Sequence, residues 1–193
     1  MNPAQPRRLP VLATLLVLAA VALMVRLGLW QLDRLHQKEA LLAYYLRGEA
    51  TPAEVTYPAG LPGQALLYRH SRVTCSRVLA TSDIAGRNRA GASGLARIVR
   101  CATPGGEAMV VLGWALAPGP LAFTGGEVAG VIAPGGTGVK LVADPPLAGL
   151  APMARPDPRD IPNNHLSYAV QWFLFAITAM VIYALALRAR WRG

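Results

Sequence analysis

Two long apolar stretches, one at each end of the chain, limit what it can fold into more than any other feature. From Leu9 to Val25 there are 17 uncharged, mostly aliphatic residues, and the stretch resumes past Arg26 to Trp30. From Leu166 to Leu187 there are 22 consecutive residues without a charge. A helix rises about 1.5 Å per residue, so about 20 residues cross a hydrocarbon core of roughly 30 Å. Both stretches are long enough. The pattern predicts transmembrane helices over 9–30 and 166–187, short tails at 1–8 and 188–193, and a domain over 31–165. The first stretch reads as an uncleaved anchor, because no small-x-small cleavage pattern follows it before Trp30.

Charge gives the orientation. Arg7 and Arg8 precede the first stretch, and Arg188, Arg190 and Arg192 follow the second. Positive residues are retained on the cytoplasmic side, so both termini are expected there, with 31–165 in a periplasm. Nothing before Arg7 resembles an Arg- and Ser-rich transit peptide, which points to a bacterial inner membrane. The chain is 53% hydrophobic and only 15% charged, which excludes a disordered solvating tail. Its net charge of +9 taken alone suggests a nucleic-acid binder. The distribution argues otherwise: thirteen basic and ten acidic residues between Gln31 and His165 leave that segment only +3. The expected partner of the remaining charge is the lipid bilayer, and no nucleic acid is expected.

Between the apolar ends the signal changes twice. Gln31 to Tyr45 continues in helical style, with Leu32, Leu35, Leu41, Leu42 and Tyr45 among charged residues. Thr51 to Gly63 carries three prolines and reads as a loop. Short Val-, Ile- and Thr-rich runs then predict strands at 67–79, 96–102, 108–116, 127–132 and 139–142. The turns Thr103-Pro-Gly-Gly-Glu107 and Ala133-Pro-Gly-Gly-Thr137 suit hairpins, since glycine supplies the backbone conformations tight turns need. The expected domain is a small antiparallel β-rich one, barrel- or sandwich-like, and the Pro-rich stretch from Asp144 to Pro162 is an extended connector back to the membrane. Cys75 and Cys101 are the only cysteines; they either form a disulfide or remain two buried thiols. Their separation is not that of a CxxC metal site.

Catalytic constellations are scarce. No HExxH, P-loop, GxGxxG or GxSxG is present, so no enzyme is expected. The informative residues lie at the outer ends of the apolar stretches. His165, Tyr168, Trp172 and Phe175 recur at helical spacing and share a face, with Gln171 beside them; Arg26, Trp30 and Arg34 repeat every four residues and also share one. Trp30, Tyr168 and Trp172 suit the headgroup region. Arg26 is explained either by snorkelling to the interface or by an anionic partner between the helices. His165 is either a polar helix-end residue or a metal ligand. A haem, with its flat apolar ring, two propionates and an iron that accepts imidazole, matches the second pair of readings.

Three motifs carry a resemblance. Leu27-Gly-Leu-Trp-Gln-Leu-Asp-Arg34, followed by Lys38, resembles the LGxWQxxR…K signature of the Surfeit locus protein 1 family of cytochrome c oxidase assembly proteins. Pro162-Asn-Asn-His-Leu-Ser-Tyr-Ala-Val-Gln-Trp-Phe173 is similar to its NNHLxYAxxWF signature, and Val110-Val-Leu-Gly-Trp114 to its GW strand, though Leu112 stands where the family usually carries an arginine. The resemblance implies a two-helix inner-membrane protein with an external β-rich domain that acts as a chaperone-like assembly factor of the respiratory chain. It implies the catalytic subunit of a haem–copper oxidase as partner, haem a synthase as a further partner, and haem a as a transiently held group. The second motif's histidine, the proposed iron ligand in some bacterial members, is here His165. Trp30, Gln31 and Arg34 would frame the site with Tyr168 and Trp172, and Arg26 or Arg34 would meet a propionate. The alternative is a permanent accessory subunit that stabilises the oxidase without holding haem.

Overall fold

A computed structural model describes residues 10–136 and 138–192. Arg7, Arg8 and the first residue of the expected helix, Leu9, lie outside the described residues. The chain divides into two compact units, one made of the segments up to Leu41 and from Ile161 onward, the other of Leu42–Asp160.

The first unit is helical. Helix α1, Val11–Glu49, is 39 residues long, and its last turns belong to the second unit; helix α2 is His165–Arg192. Helix-favouring Leu and Ala dominate both, and Pro10 stands just ahead of α1, where a missing N–H costs nothing. Both helices are long and apolar enough to cross a membrane, and only 6% of each one's apolar window is buried. A core helix of a soluble domain would be covered by protein. Here the Leu, Ile, Val and Met side chains point outward, so hydrocarbon is the solvent that removes them from water.

The second unit is built on one seven-stranded sheet: β1 (Val55–Thr56), β2 (His70–Cys75), β3 (Arg77–Arg87), β4 (Ser93–Thr103), β5 (Gly106–Ala115), β6 (Gly126–Gly135) and β7 (Gly138–Ala143). Their order is β1-β2-β6-β7-β5-β4-β3. The expected strand over 67–79 is two, because the chain turns at Ser76 from pairing with β6 to pairing with β4 at the other side of the sheet. β2 pairs with β6 and β3 pairs with β4. Counted as one bent strand, β2–β3 closes the sheet into a five-stranded Greek-key barrel whose connectivity is that of the OB fold. A disulfide between Cys75 and Cys101, with Cα atoms 5.2 Å apart, and a hydrogen bond from Ser76 N–H to Ala102 O at 2.8 Å join the strands at that corner. The expected antiparallel sheet is therefore mixed. β7 returns by a hairpin from β6 and enters between β6 and β5, which forces it parallel to β5; β1 also runs parallel to β2.

Val99, Val110, Leu112, Ile132 and Leu141, all fully buried, fill the core. Ala96, Ile98, Val111, Ala133 and Val142 form a separate buried cluster against which Met153 packs. The connector is thus a strap rather than a free linker: Leu147 N–H bonds Leu112 O, Ala151 bridges Trp114, and Ala154 N–H bonds Arg87 O. Arg97 is a buried cation, held by Asp83 at 2.7 Å and by the carbonyl of Gly119, which ties the β5–β6 loop to the sheet.

Parallel pairing between β5 and β7 is limited to Val110 with Leu141 and Val111 with Val142. Just before those residues the Tyr57 hydroxyl takes the place of further rungs, donating to Val139 O at 2.9 Å and lying 3.5 Å from Met109 O. Burial pushes the Tyr57 phenol above its ordinary value. A neutral phenol therefore stabilises the fold fully below the unfolded pKa of about 10, and that contribution fades as pH rises through the higher folded value. Tyr57→Phe should cost about 1–2 kcal/mol near neutrality and flatten the alkaline limb of the stability curve; identical alkaline unfolding of both proteins would refute this role. Replacing both Cys75 and Cys101 by Ser opens a loop spanning 26 residues and should cost about 3 kcal/mol. Thermal unfolding with and without reductant measures it, and an unchanged midpoint contradicts it.

Candidate functional site

The helical unit places the two end motifs against each other. Along α1 the less exposed positions include Thr14, Val17, Val21, Met24, Gly28, Gln31 and Leu35, which recur by threes and fours along one face, with Ala20, Leu27 and Leu32 beside them. Along α2 the matching face carries His165, Ala169, Trp172, Phe173, Ala176 and Tyr183. Three contacts set the pair antiparallel. The hydroxyls of Thr14 and Tyr183 are hydrogen-bonded at one end. In the middle, Gly28 lies under the Phe173 ring, where an added Cβ would stand 2.6 Å from Cε1. At the other end His165 Nδ1 and Gln31 Oε1 are 2.7 Å apart. From Thr14 to Gln31 the axial distance is about 26 Å at 1.5 Å per residue, close to the depth of a hydrocarbon core.

The His165–Gln31 contact decides a chemical question. The amide oxygen only accepts, so Nδ1 carries the proton and donates it. In the neutral ring Nε2 then keeps the lone pair that an imidazole needs in order to bind a metal. A hydrogen-bond acceptor behind the ring also holds its orientation. His165 is only half-buried, at the end of α2 where the helix begins.

The other expected residues do not all converge on it. Trp172 shares the inner face with His165 and meets Phe175 edge-on, with ring centroids 6.1 Å apart. Tyr168 is 50% exposed and Phe175 55%, so both stand on the flank of α2. Arg26 and Arg34 are exposed, Trp30 is 42% exposed, and the Arg34 guanidinium lies 5.5 Å from the Trp30 ring while donating to Gln37 Oε1 at 2.8 Å. The structure does not bring Arg26 or Arg34 into contact with His165. Each residue turns a helix by about 100°, so Arg26 and Trp30 face nearly opposite to the seam that Gly28 and Gln31 occupy, and Arg34 stands at its far border. Arg26, Leu27 and Trp30 line a shallow depression on that outer face.

Sequence reasoning did not find the Gly28–Phe173 contact or the direct pairing of Gln31 with His165. The signal was available: each of these four residues is a letter of one of the two end motifs, and each motif supplies the other's partner. Among the described residues no group of three His, Cys, Asp or Glu side chains could hold a metal ion, and His36 and His70 are exposed. His165 is the histidine that stands at the helix seam.

Gly28→Val should drive a side chain into the Phe173 ring and destabilise the helix pair by about 1–3 kcal/mol. Phe173→Ala in the same chain should recover part of that loss, measured by unfolding in detergent; a double variant as weak as the sum of the singles would show that the two residues do not meet.

Comparison with curated proteins gave no match. A family model does match, described as the SURF1 family and covering residues 18–177. That family is associated with cytochrome c oxidase assembly. The matched span runs through both helix motifs and the whole barrel, well over half of the chain, and on that coverage the chain belongs to the SURF1 family.

Proposed function

We propose that this protein is a non-catalytic assembly factor for a haem–copper terminal oxidase, and that it holds haem a for delivery to the catalytic subunit. The observation that carries the reading is the His165–Gln31 hydrogen bond at 2.7 Å, which holds the ring so that Nε2 of the neutral imidazole would be the atom to hold a haem iron. Trp172, on the same face, offers an aromatic surface to a flat apolar macrocycle. The donor set suits a cargo held by one bond and later surrendered, because a single imidazole binds less firmly than a bis-axial pair. Arg26 and Arg34 are not assigned to propionates, since they stand away from the seam. The location that accompanies this reading is a bacterial inner membrane with both termini cytoplasmic and the barrel in the periplasm. The Cys75–Cys101 disulfide supports an oxidising compartment for the barrel, and Arg188, Arg190 and Arg192 at the end of α2 support a cytoplasmic C-terminus. Haem a synthase is the proposed donor of the cargo.

A second reading is a lasting accessory subunit that never touches haem. It is favoured by the way Gly28, Gln31, His165 and Phe173 already serve as each other's partners. Purification from cells that make haem a separates the two. The haem reading expects a haem spectrum that His165→Ala abolishes and that Gln31→Leu weakens about 10–100-fold, the usual cost of losing a supporting hydrogen bond behind a metal ligand. A haem spectrum indifferent to His165→Ala removes the residue from the mechanism, and fixed-stoichiometry recovery with mature oxidase, free of haem of its own, favours the subunit. A deletion strain with normal oxidase activity and normal haem a would sink both.

A further inference from the structure

We infer that the barrel unit carries an oxyanion-binding pocket where the last turn of α1 meets the segment before β2. The charged residues of this unit are mostly paired: Arg72, Arg89, Arg97, Arg100, Arg155 and Arg159 each meet a carboxylate. Among the described residues of this unit Arg47, Arg69, Arg77, Arg87 and Lys140 meet none, and of these Arg47 and Arg69 line one cavity of about 190 Å³. The two guanidinium groups are not equivalent. Arg47 is exposed in the last turn of α1. Arg69 is half-buried, gives Nη2 to Ala53 O at 3.1 Å, and keeps a buried Nε without any hydrogen-bond partner. A buried donor left unsatisfied is costly, and the guanidinium that carries it belongs to a residue lining the cavity, which points to an acceptor supplied from outside the chain.

The rest of the lining selects the kind of acceptor. The Tyr44 hydroxyl donates to Ala65 O at 2.8 Å and the Thr51 hydroxyl to Arg47 O at 2.7 Å, so both hydroxyl protons are committed to backbone carbonyls. The uncommitted donors are guanidinium N–H groups, and no carboxylate lines the cavity. Such a wall repels cations and matches the paired acceptor oxygens of a phosphate or carboxylate group. Gly48 leaves room beside it: a Cβ there would stand 3.0 Å from Arg69 Cδ, which would have to give by a few tenths of an ångström. The partial negative charge of the α1 C-terminus works against an anion, but it amounts to about half a charge against two full cations. This pocket is independent of the haem reading, because all its residues lie in Leu42–Asp160.

The test uses the full-length protein in nanodiscs of neutral lipid, titrated with inorganic phosphate or with acetate at constant ionic strength. Isothermal titration should show one saturable site for phosphate, for acetate or for both. Arg69→Gln and Arg47→Gln should each weaken it about tenfold or more, the loss expected for one charge-assisted hydrogen bond. Arg47 is exposed, so its variant keeps the test sound if Arg69→Gln folds poorly. Binding in neutral discs that disappears in discs of anionic phospholipid assigns the same site to a lipid headgroup; binding unchanged between the two assigns it to a soluble anion. No saturable binding of either anion, or equal binding by the doubly substituted protein, overturns the proposal.

Discussion

Water cannot satisfy backbone groups or accept bare aliphatic side chains inside a bilayer, and most of this protein's organisation follows from that. A segment of 22 uncharged residues must close its own hydrogen bonds, so it is a helix. Once helical, it has no hydrophobic drive toward its partner, because lipid tails are as apolar as Leu. What joins two such helices is close packing and a few polar contacts. Gly28 under the Phe173 ring supplies the first, and the Thr14–Tyr183 and Gln31–His165 hydrogen bonds supply the second. The polar contacts sit near the two ends of the pair, where one of them becomes available for chemistry.

The barrel solves a different problem. An open sheet of short strands leaves edges unpaired, and a unit of this size has a modest core. The bend at Ser76 lets one stretch of chain pair at both sides of the sheet, and the disulfide holds that bend where the strands part. Where β5 and β7 separate, a tyrosine hydroxyl replaces the missing rungs. The Pro-rich strap then covers the second apolar cluster and returns the chain toward α2. OB connectivity implies no particular ligand, since function belongs to the residues a fold presents.

The helix faces show why motif letters and site geometry are different kinds of information. Trp30 and Gln31 are neighbours in the motif, yet one is exposed and the other meets His165, because one step along a helix is about 100° of rotation. Spacing by fours grouped Arg26, Trp30 and Arg34. It did not say which face α2 would cover. The glycine in the same motif held that answer, since only a residue without a side chain admits a ring at 2.6 Å from a would-be Cβ.

By itself the sequence determined that the ends are helices of membrane-crossing length, that the middle is β-rich, and which family signatures are present. The first two follow from local composition and period, which no distant contact can override in so apolar a stretch; the third is a resemblance of motifs. It left open the pairing of Cys75 with Cys101, the closure of the barrel, the parallel β5–β7 pair and the role of Gln31. Tertiary structure decided those, because each depends on residues far apart in the chain: 26 positions for the disulfide and 134 for the Gln31–His165 bond. The orphaned Arg69 Nε belongs to the same class. A sequence names a donor, but only packing determines whether it is left without an acceptor.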